Sequence, residues 1–151
     1  MLKIIIFAVV IIFIALIICN AVVPNIVDKI YNETIKDNPN CLVCKATNIR
    51  GLEKSKDIDS FLPRTIILST TDSFKFLDGY NKKMTSWYSI SKKIVTSLTI
   101  DKNYKINERK YNALVFKVSG KDDIVFYANK SSQLLIDDYN KYKQSIETSN
   151  N

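Results

Sequence analysis

From Ile4 to Val23 the chain reads IIIFAVVIIFIALIICNAVV, twenty residues whose one strongly polar member is Asn20. As an α-helix rising about 1.5 Å per residue, such a run reaches roughly 30 Å, the thickness of a bilayer's hydrocarbon core. Isoleucine and valine are modest helix formers in water, but lipid offers an unpaired backbone group no partner and so favours the helix strongly. The run predicts a transmembrane anchor over 4–23, behind a short cytosolic end at 1–3. The competing reading is a cleaved signal peptide, with Met1-Leu2-Lys3 as its charged end and Cys19-Asn20-Ala21 as its cleavage site. Against that, the uninterrupted apolar stretch from Ile4 to Cys19 exceeds the usual hydrophobic region of roughly 7 to 15 residues, and the cleavage-site match is imperfect. Arg64, Lys75, Lys92, Lys117 and Lys121 interrupt the later apolar stretches, so a single crossing is expected.

Lys3 and the amino terminus precede the anchor, while Asp28, Lys29, Glu33, Lys36 and Asp37 roughly cancel after it. The positive-inside bias places the amino terminus in the cytosol, or inside a virion, and the remaining domain on the exterior. The lipid bilayer is thus the first expected partner. Asn32-Glu33-Thr34 and Asn129-Lys130-Ser131 are glycosylation sequons that matter only if the chain enters a secretory lumen. Asn20, near the outer end of the anchor, can hydrogen-bond to another membrane helix or sit among head groups and touch water.

The chain of 151 residues, less its anchor, has the length of one modest domain, and its few glycines and prolines suit a folded protein. There is no histidine. That removes Ser-His and Cys-His nucleophile pairs, histidine-containing zinc sites and imidazole acid-base steps. What survives is a carboxylate pair, a Ser-Lys pair or cysteine alone. Asp122-Asp123 and Asp137-Asp138 are adjacent in sequence, which points their side chains apart, and they read as solvated charges. The net charge of +7 can favour acidic partners or anionic head groups, but it reads first as a solubility feature. No Arg-aromatic interleaving suggests nucleic acid, and no phosphate loop, metal cluster, cofactor or small-molecule substrate is implied.

The expected fold class is α+β: an N-terminal transmembrane helix and stalk, then a small antiparallel sheet packed with a C-terminal helix. Val27, Ile30, Tyr31 and Ile35 recur at helical spacing, which carries an amphipathic stalk to about Asp37, where Asn38-Pro39-Asn40 ends it. Residues 24–50 form this stalk and a cysteine-containing neck, 51–146 the ectodomain, and 147–151 a disordered tail. Leu52 to Asp59 suits a short helical turn, and Arg64 to Thr70 a strand entered from Pro63. Phe74, Phe76 and Leu77, then Trp87-Tyr88, suggest one or two short strands. Three clearer strands follow at Lys93 to Ile100, Lys110 to Ser119 and Asp123 to Asn129. Ser119-Gly120-Lys121-Asp122 joins the last two as an antiparallel hairpin. Ser131 or Ser132 caps a final helix to about Ile146, whose stripe Leu135, Tyr139, Tyr142 and Ile146 faces the sheet. Trp87, Phe116 and Phe126 read as core and not as a ligand-stacking platform, because they alternate within strands.

Cys41-Leu42-Val43-Cys44 is the one compact motif. A zinc site needs four ligands, which the chain cannot supply alone. A catalytic dithiol would place the first cysteine at a helix N-terminus. The leading reading is a local Cys41–Cys44 disulfide stiffening the neck, ahead of bonds to partner chains and of redox catalysis. Cys19 reads as a small buried hydrophobe in the anchor.

The short cytosolic end, the isoleucine-rich anchor, Ala21-Val22-Val23-Pro24 and the lysine- and asparagine-rich domain together resemble small N-terminally anchored envelope proteins of large DNA viruses. The chain resembles in particular the small per os infectivity factor of baculoviruses and nudiviruses, of roughly 19 kDa, and small subunits of the poxvirus entry-fusion complex are similar in layout. The resemblance covers the architecture of the whole chain without a diagnostic motif, and two ectodomain cysteines are fewer than in the disulfide-rich members. No functional residue is carried over from it. It implies a non-enzymatic role in host-cell entry, within a multi-protein complex of the virion envelope. From other classes come a membrane-tethered cell-surface or periplasmic binding domain and a tethered thiol oxidoreductase.

Overall fold

The computed structural model describes residues 2–52, 65–78, 88–106 and 108–149. Before residue 26, it describes side chains only at positions 7, 9–15 and 17. Helix α1 runs from Leu2 to Asp37 and passes through Pro24. Proline has no N–H to donate, so the carbonyl of Asn20 lacks its partner one turn later. Over the described residues, no helix is long and apolar enough to cross a membrane. The run 4–23 lies inside α1, but many of its side chains are outside the described set.

The end of α1 follows its sequence. Asn38 donates from both its backbone N–H and its Nδ2 to the carbonyl of Thr34, each at 3.0 Å, which satisfies an orphan acceptor of the last turn. Pro39 then prevents continuation. On the stalk, Val27 and Ile30 are buried and Tyr31 is half-buried, as the helical spacing predicts, but Ile35 is exposed. Thr34 takes its place in the buried stripe, because a hydroxyl that donates to the Ile30 carbonyl at 2.7 Å can be buried without an unmet polar atom.

Eight strands follow: β1 Leu42–Ala46, β2 Asn48–Arg50, β3 Thr65–Ser69, β4 Ser73–Asp78, β5 Tyr88–Ser91, β6 Val95–Ile106, β7 Arg109–Val118 and β8 Ile124–Tyr127. Helix α2, Ser132–Ser149, closes the chain. The class is α+β, but there are two four-stranded antiparallel sheets where one was expected, ordered β1-β3-β4-β5 and β2-β8-β7-β6. The chain changes sheet three times, the second of them between β2 and β3. The first change is at Thr47, whose carbonyl accepts from the Tyr127 N–H at 3.0 Å, and the last runs through a 3₁₀ turn at Lys92–Ile94. The β7–β8 pair is antiparallel across the Ser119-Gly120 turn, as expected.

The segment expected to be a neck is therefore two strands. They are short, five and three residues, and their burial depends on α1 and on pairing with β3 and β8, which lie further along the chain. Helix α2 also runs past its expected end, so the tail is helical through Ser149. Thr148 and Ser149 donate their hydroxyls to the Gln144 and Ile146 carbonyls, which stabilises a last turn with nothing to bury. The proposed helical turn at 52–59 falls, after Leu52, outside the described residues, as do Pro63 and Trp87.

The main core lies between the inner faces of the two sheets. Phe74, Phe76, Phe116 and Phe126 fill its centre, with Phe76 and Phe126 stacked at 5.6 Å and Phe74 edge-on to Phe116 at 5.1 Å. Phe116 and Phe126 are thus core residues, and Leu135 and Tyr139 of α2 join them. The outer face of the first sheet presents Val43, Ile66, Leu68 and Leu77 to Ile26, Ile30 and Tyr31 of α1. Lys45 fixes this seam: it pairs with Asp28, and its Nζ lies 4.6 Å from the centre of the Tyr31 ring. Because Asp28 meets Lys45 and Tyr31 Oη donates to the Val43 carbonyl at 3.4 Å, α1 runs antiparallel to β1.

Candidate functional site

Cys41 and Cys44 are free thiols, which corrects the expected disulfide. Cys41 packs with the α1-side cluster around Ile30 and Val43, whereas Cys44 is buried in the core between the sheets. Side chains alternate along extended chain, so positions three apart lie on opposite faces. Three steps of roughly 3.3 Å also separate the Cα atoms by about 10 Å, beyond the span of a disulfide. The Cys44 Sγ is 4.0 Å from the Ser131 carbonyl. Burial pushes its pKa up to about 11; the contact with Ser131 opposes that rise and the Asp138 carboxylate adds to it. The thiolate that redox exchange requires is thus disfavoured.

Of the two sequons, Asn32 is exposed on α1, two residues before the buried Thr34. Asn129 is exposed but engaged. Its Nδ2 donates to the Lys45 carbonyl at 2.8 Å, and its Oδ1 accepts from the Ser131 N–H at 2.9 Å. Ser131 caps α2 through its carbonyl, which takes the first helical bond from Leu135, while the hydroxyl of Ser132 accepts from the Asn129 N–H. The side chain of Asn20 lies outside the described residues.

The structure builds a polar cluster that the sequence did not single out. Ser69 ends β3, Lys92 opens the 3₁₀ turn after β5, and Asp138 lies in the second turn of α2. Asp138 Oδ2 accepts from Ser69 Oγ at 2.6 Å and from Lys92 Nζ at 2.8 Å. Lys92 Nζ also stands 5.1 Å from the Phe74 ring centre and 5.4 Å from that of Tyr142, near enough for both ring faces to support its charge. Tyr139 donates its hydroxyl to the Val95 carbonyl. The Tyr142 hydroxyl is buried and has no hydrogen-bond partner among the described residues. Both phenols are held above their ordinary pKa, by burial first, and then Tyr139 by the neighbouring Tyr142 and Tyr142 by Asp72.

Asp138 is therefore a partnered carboxylate and more than the solvated charge its sequence neighbours suggest, whereas Asp137 lies on the exposed face, bonded to Gln133 at 2.9 Å. A serine and a lysine do come together, but both bond to the same carboxylate oxygen and not to each other, and Ser69 is itself buried. In this arrangement the three residues fasten α2 across the ends of two strands. No local pattern marks them, since they are separated by 69 and 46 positions from their common partner. Among the described residues, no three His, Cys, Asp or Glu side chains gather as metal ligands.

The fold so defined is a two-sheet α+β domain closed by a C-terminal helix and braced by an N-terminal one. No protein-family model matches the chain, and no curated protein does. Among solved structures, the C-terminal domain of an unknown protein from Leishmania infantum is similar over 74% of this chain and 96% of that one, with 15% identity and a TM-score of 0.42. A likeness of that extent carries no functional argument.

Proposed function

We propose that this chain is a membrane-anchored, non-enzymatic protein that works by assembly, with α1 spanning the bilayer and the two-sheet domain on its far side. The observation that carries the reading is the exposure of every described side chain from position 9 to 15, including Ile11, Ile12, Phe13 and Ile14. Successive residues of an α-helix are about 100° apart, so seven in a row cover the whole circumference. A helix apolar on all sides and covered by none of its own domain requires an apolar surround, which a bilayer supplies. Burial of Cys44 weighs against the tethered oxidoreductase. The layout that resembles viral envelope proteins extends the proposal to a subunit of a multi-protein entry complex in a virion envelope.

Alkaline carbonate extraction of membranes from cells expressing the full chain, with protease protection of sealed vesicles, tests the anchor. The expected result is a protein that stays with the pellet and is shielded from protease added on the cytosolic side. Release into the soluble fraction, or digestion from the cytosolic side, would overturn it.

A further inference from the structure

Strands β6 and β7 have 12 and 10 residues, whereas β8 beside them has four. The last pairing that includes β8 is Ala113 with Tyr127, and beyond it β6 and β7 continue alone through Tyr104–Tyr111, Lys105–Lys110 and Ile106–Arg109. This two-stranded ribbon has two unlike sides. Tyr104 and Tyr111 pack with Ala113, Val115 and Val125 on the outer face of the second sheet. By strand alternation, Lys105 and Lys110 stand on the other side.

These two lysines are exposed and directly opposite each other, an arrangement that destabilises an antiparallel pair. Exposed Lys102 stands on the same ribbon, and none of the three lysines has an ion pair among the described residues. Asp101 accepts from the Asn103 N–H at 2.8 Å and forms no ion pair with these lysines among the described residues.

We infer that the β6–β7 ribbon is a docking surface for an acidic segment of another protein, whose carboxylates enter between Lys102, Lys105 and Lys110. Charge complementarity selects an anionic occupant. The ribbon's own Asp101 and Glu108 favour a protein, which can place cations of its own against them, over a uniformly anionic lipid surface. The inference rests on the assembly reading above but not on the anchor. A chain that resists carbonate yet ignores the probe refutes the ribbon alone, and one that binds the probe but is released by carbonate refutes the anchor alone.

The full chain in a neutral, non-ionic detergent, titrated with fluorescent poly-L-glutamate, provides the test. Binding that weakens with salt is expected, and Lys105→Glu should weaken it about tenfold or more, a loss of roughly 1.4 kcal/mol. Lys141→Glu on α2 is the control and should leave binding within about twofold of the native chain. Lys105→Glu also places opposite charges across the ribbon, so its melting temperature should rise; this shows that lost binding is not lost folding. Absence of binding, an equal loss in the Lys141 variant, or capture by phosphatidylserine vesicles without capture of poly-L-glutamate would each overturn the inference.

Discussion

Lys92 Nζ meets Asp138 Oδ2 at 2.8 Å from unequal surroundings, the lysine side chain 3% exposed and the aspartate 36%. The pair joins the turn after β5 to α2, and its two members differ in what their loss leaves behind. Asp138→Ala strands a buried ammonium and the Ser69 hydroxyl together, whereas Lys92→Met leaves a carboxylate that water still reaches. Asp138→Ala should cost about 2–4 kcal/mol, discounted from the fully buried case for that exposure, and Lys92→Met distinctly less. Urea unfolding of both variants measures the difference, and equal costs would remove the asymmetry.

Cys44 should stay unmodified when the folded protein is treated with iodoacetamide near pH 8, while half-buried Cys41 reacts, and a non-reduced digest should show no bond between them. The folded pKa of Cys44 is raised from 9.0 to about 11, so the folded state holds its proton more tightly. The stability this represents is fully present below pH 9 and is lost as pH rises toward 11. Tyr139 and Tyr142, also raised, act in the same direction at higher pH. Thermal melts from pH 8 to pH 11 should decline, and Cys44→Ala should flatten the part between 9 and 11.

Gly51 has φ +93, and a Cβ built there would stand 2.4 Å from the Asp123 carbonyl oxygen and 2.8 Å from Ile124 Cα. Both obstacles are backbone, so neither can swing aside. Gly120, at φ +71, has open space around it. Gly120→Ala should therefore cost only the left-handed penalty of about 1–2 kcal/mol, and Gly51→Ala clearly more, because it also forces β2 away from β8. Chemical denaturation that ranked them in the opposite order would contradict the close approach.

Asn129 ties two elements through one side chain, to Lys45 in β1 and to the start of α2. Asn129→Ala should lower stability by about 1–2 kcal/mol. Asn129→Asp keeps the cap but replaces the donor to Lys45, and should recover part of that loss. Circular dichroism melts of the two variants separate the contributions.

How much of this was legible depends on where each element's burial comes from. Strands β6 to β8 carry their own signal, because Val95, Leu98, Val115, Phe116 and Ile124 to Phe126 are β-branched, aromatic or aliphatic residues, with Gly120 marking a turn. Helix α2 shows its stripe at Leu135, Tyr139 and Tyr142 for the same reason. Strands β1 and β2 carry little: Lys45, Asn48 and Arg50 look like loop residues until α1 and β8 lie beside them. The Ser69–Lys92–Asp138 cluster had no local trace at all, because a lysine looks solvated until Phe74 and Tyr142 are known to enclose it.

Helix α1 gives the domain no tether to swing on, since Val27, only four residues past Val23, is already packed. With its apolar half in a bilayer, as proposed, the domain would lie about 6 Å of helix rise from the lipid edge and share the tilt of the helix. Such a body searches for partners in two dimensions, with its faces presented at a constant height, and the first meeting of a pair replaces much of the orientational search that free proteins undergo. Pro24 is the point of this lever most open to bending, because the Asn20 carbonyl has no N–H to accept from one turn later.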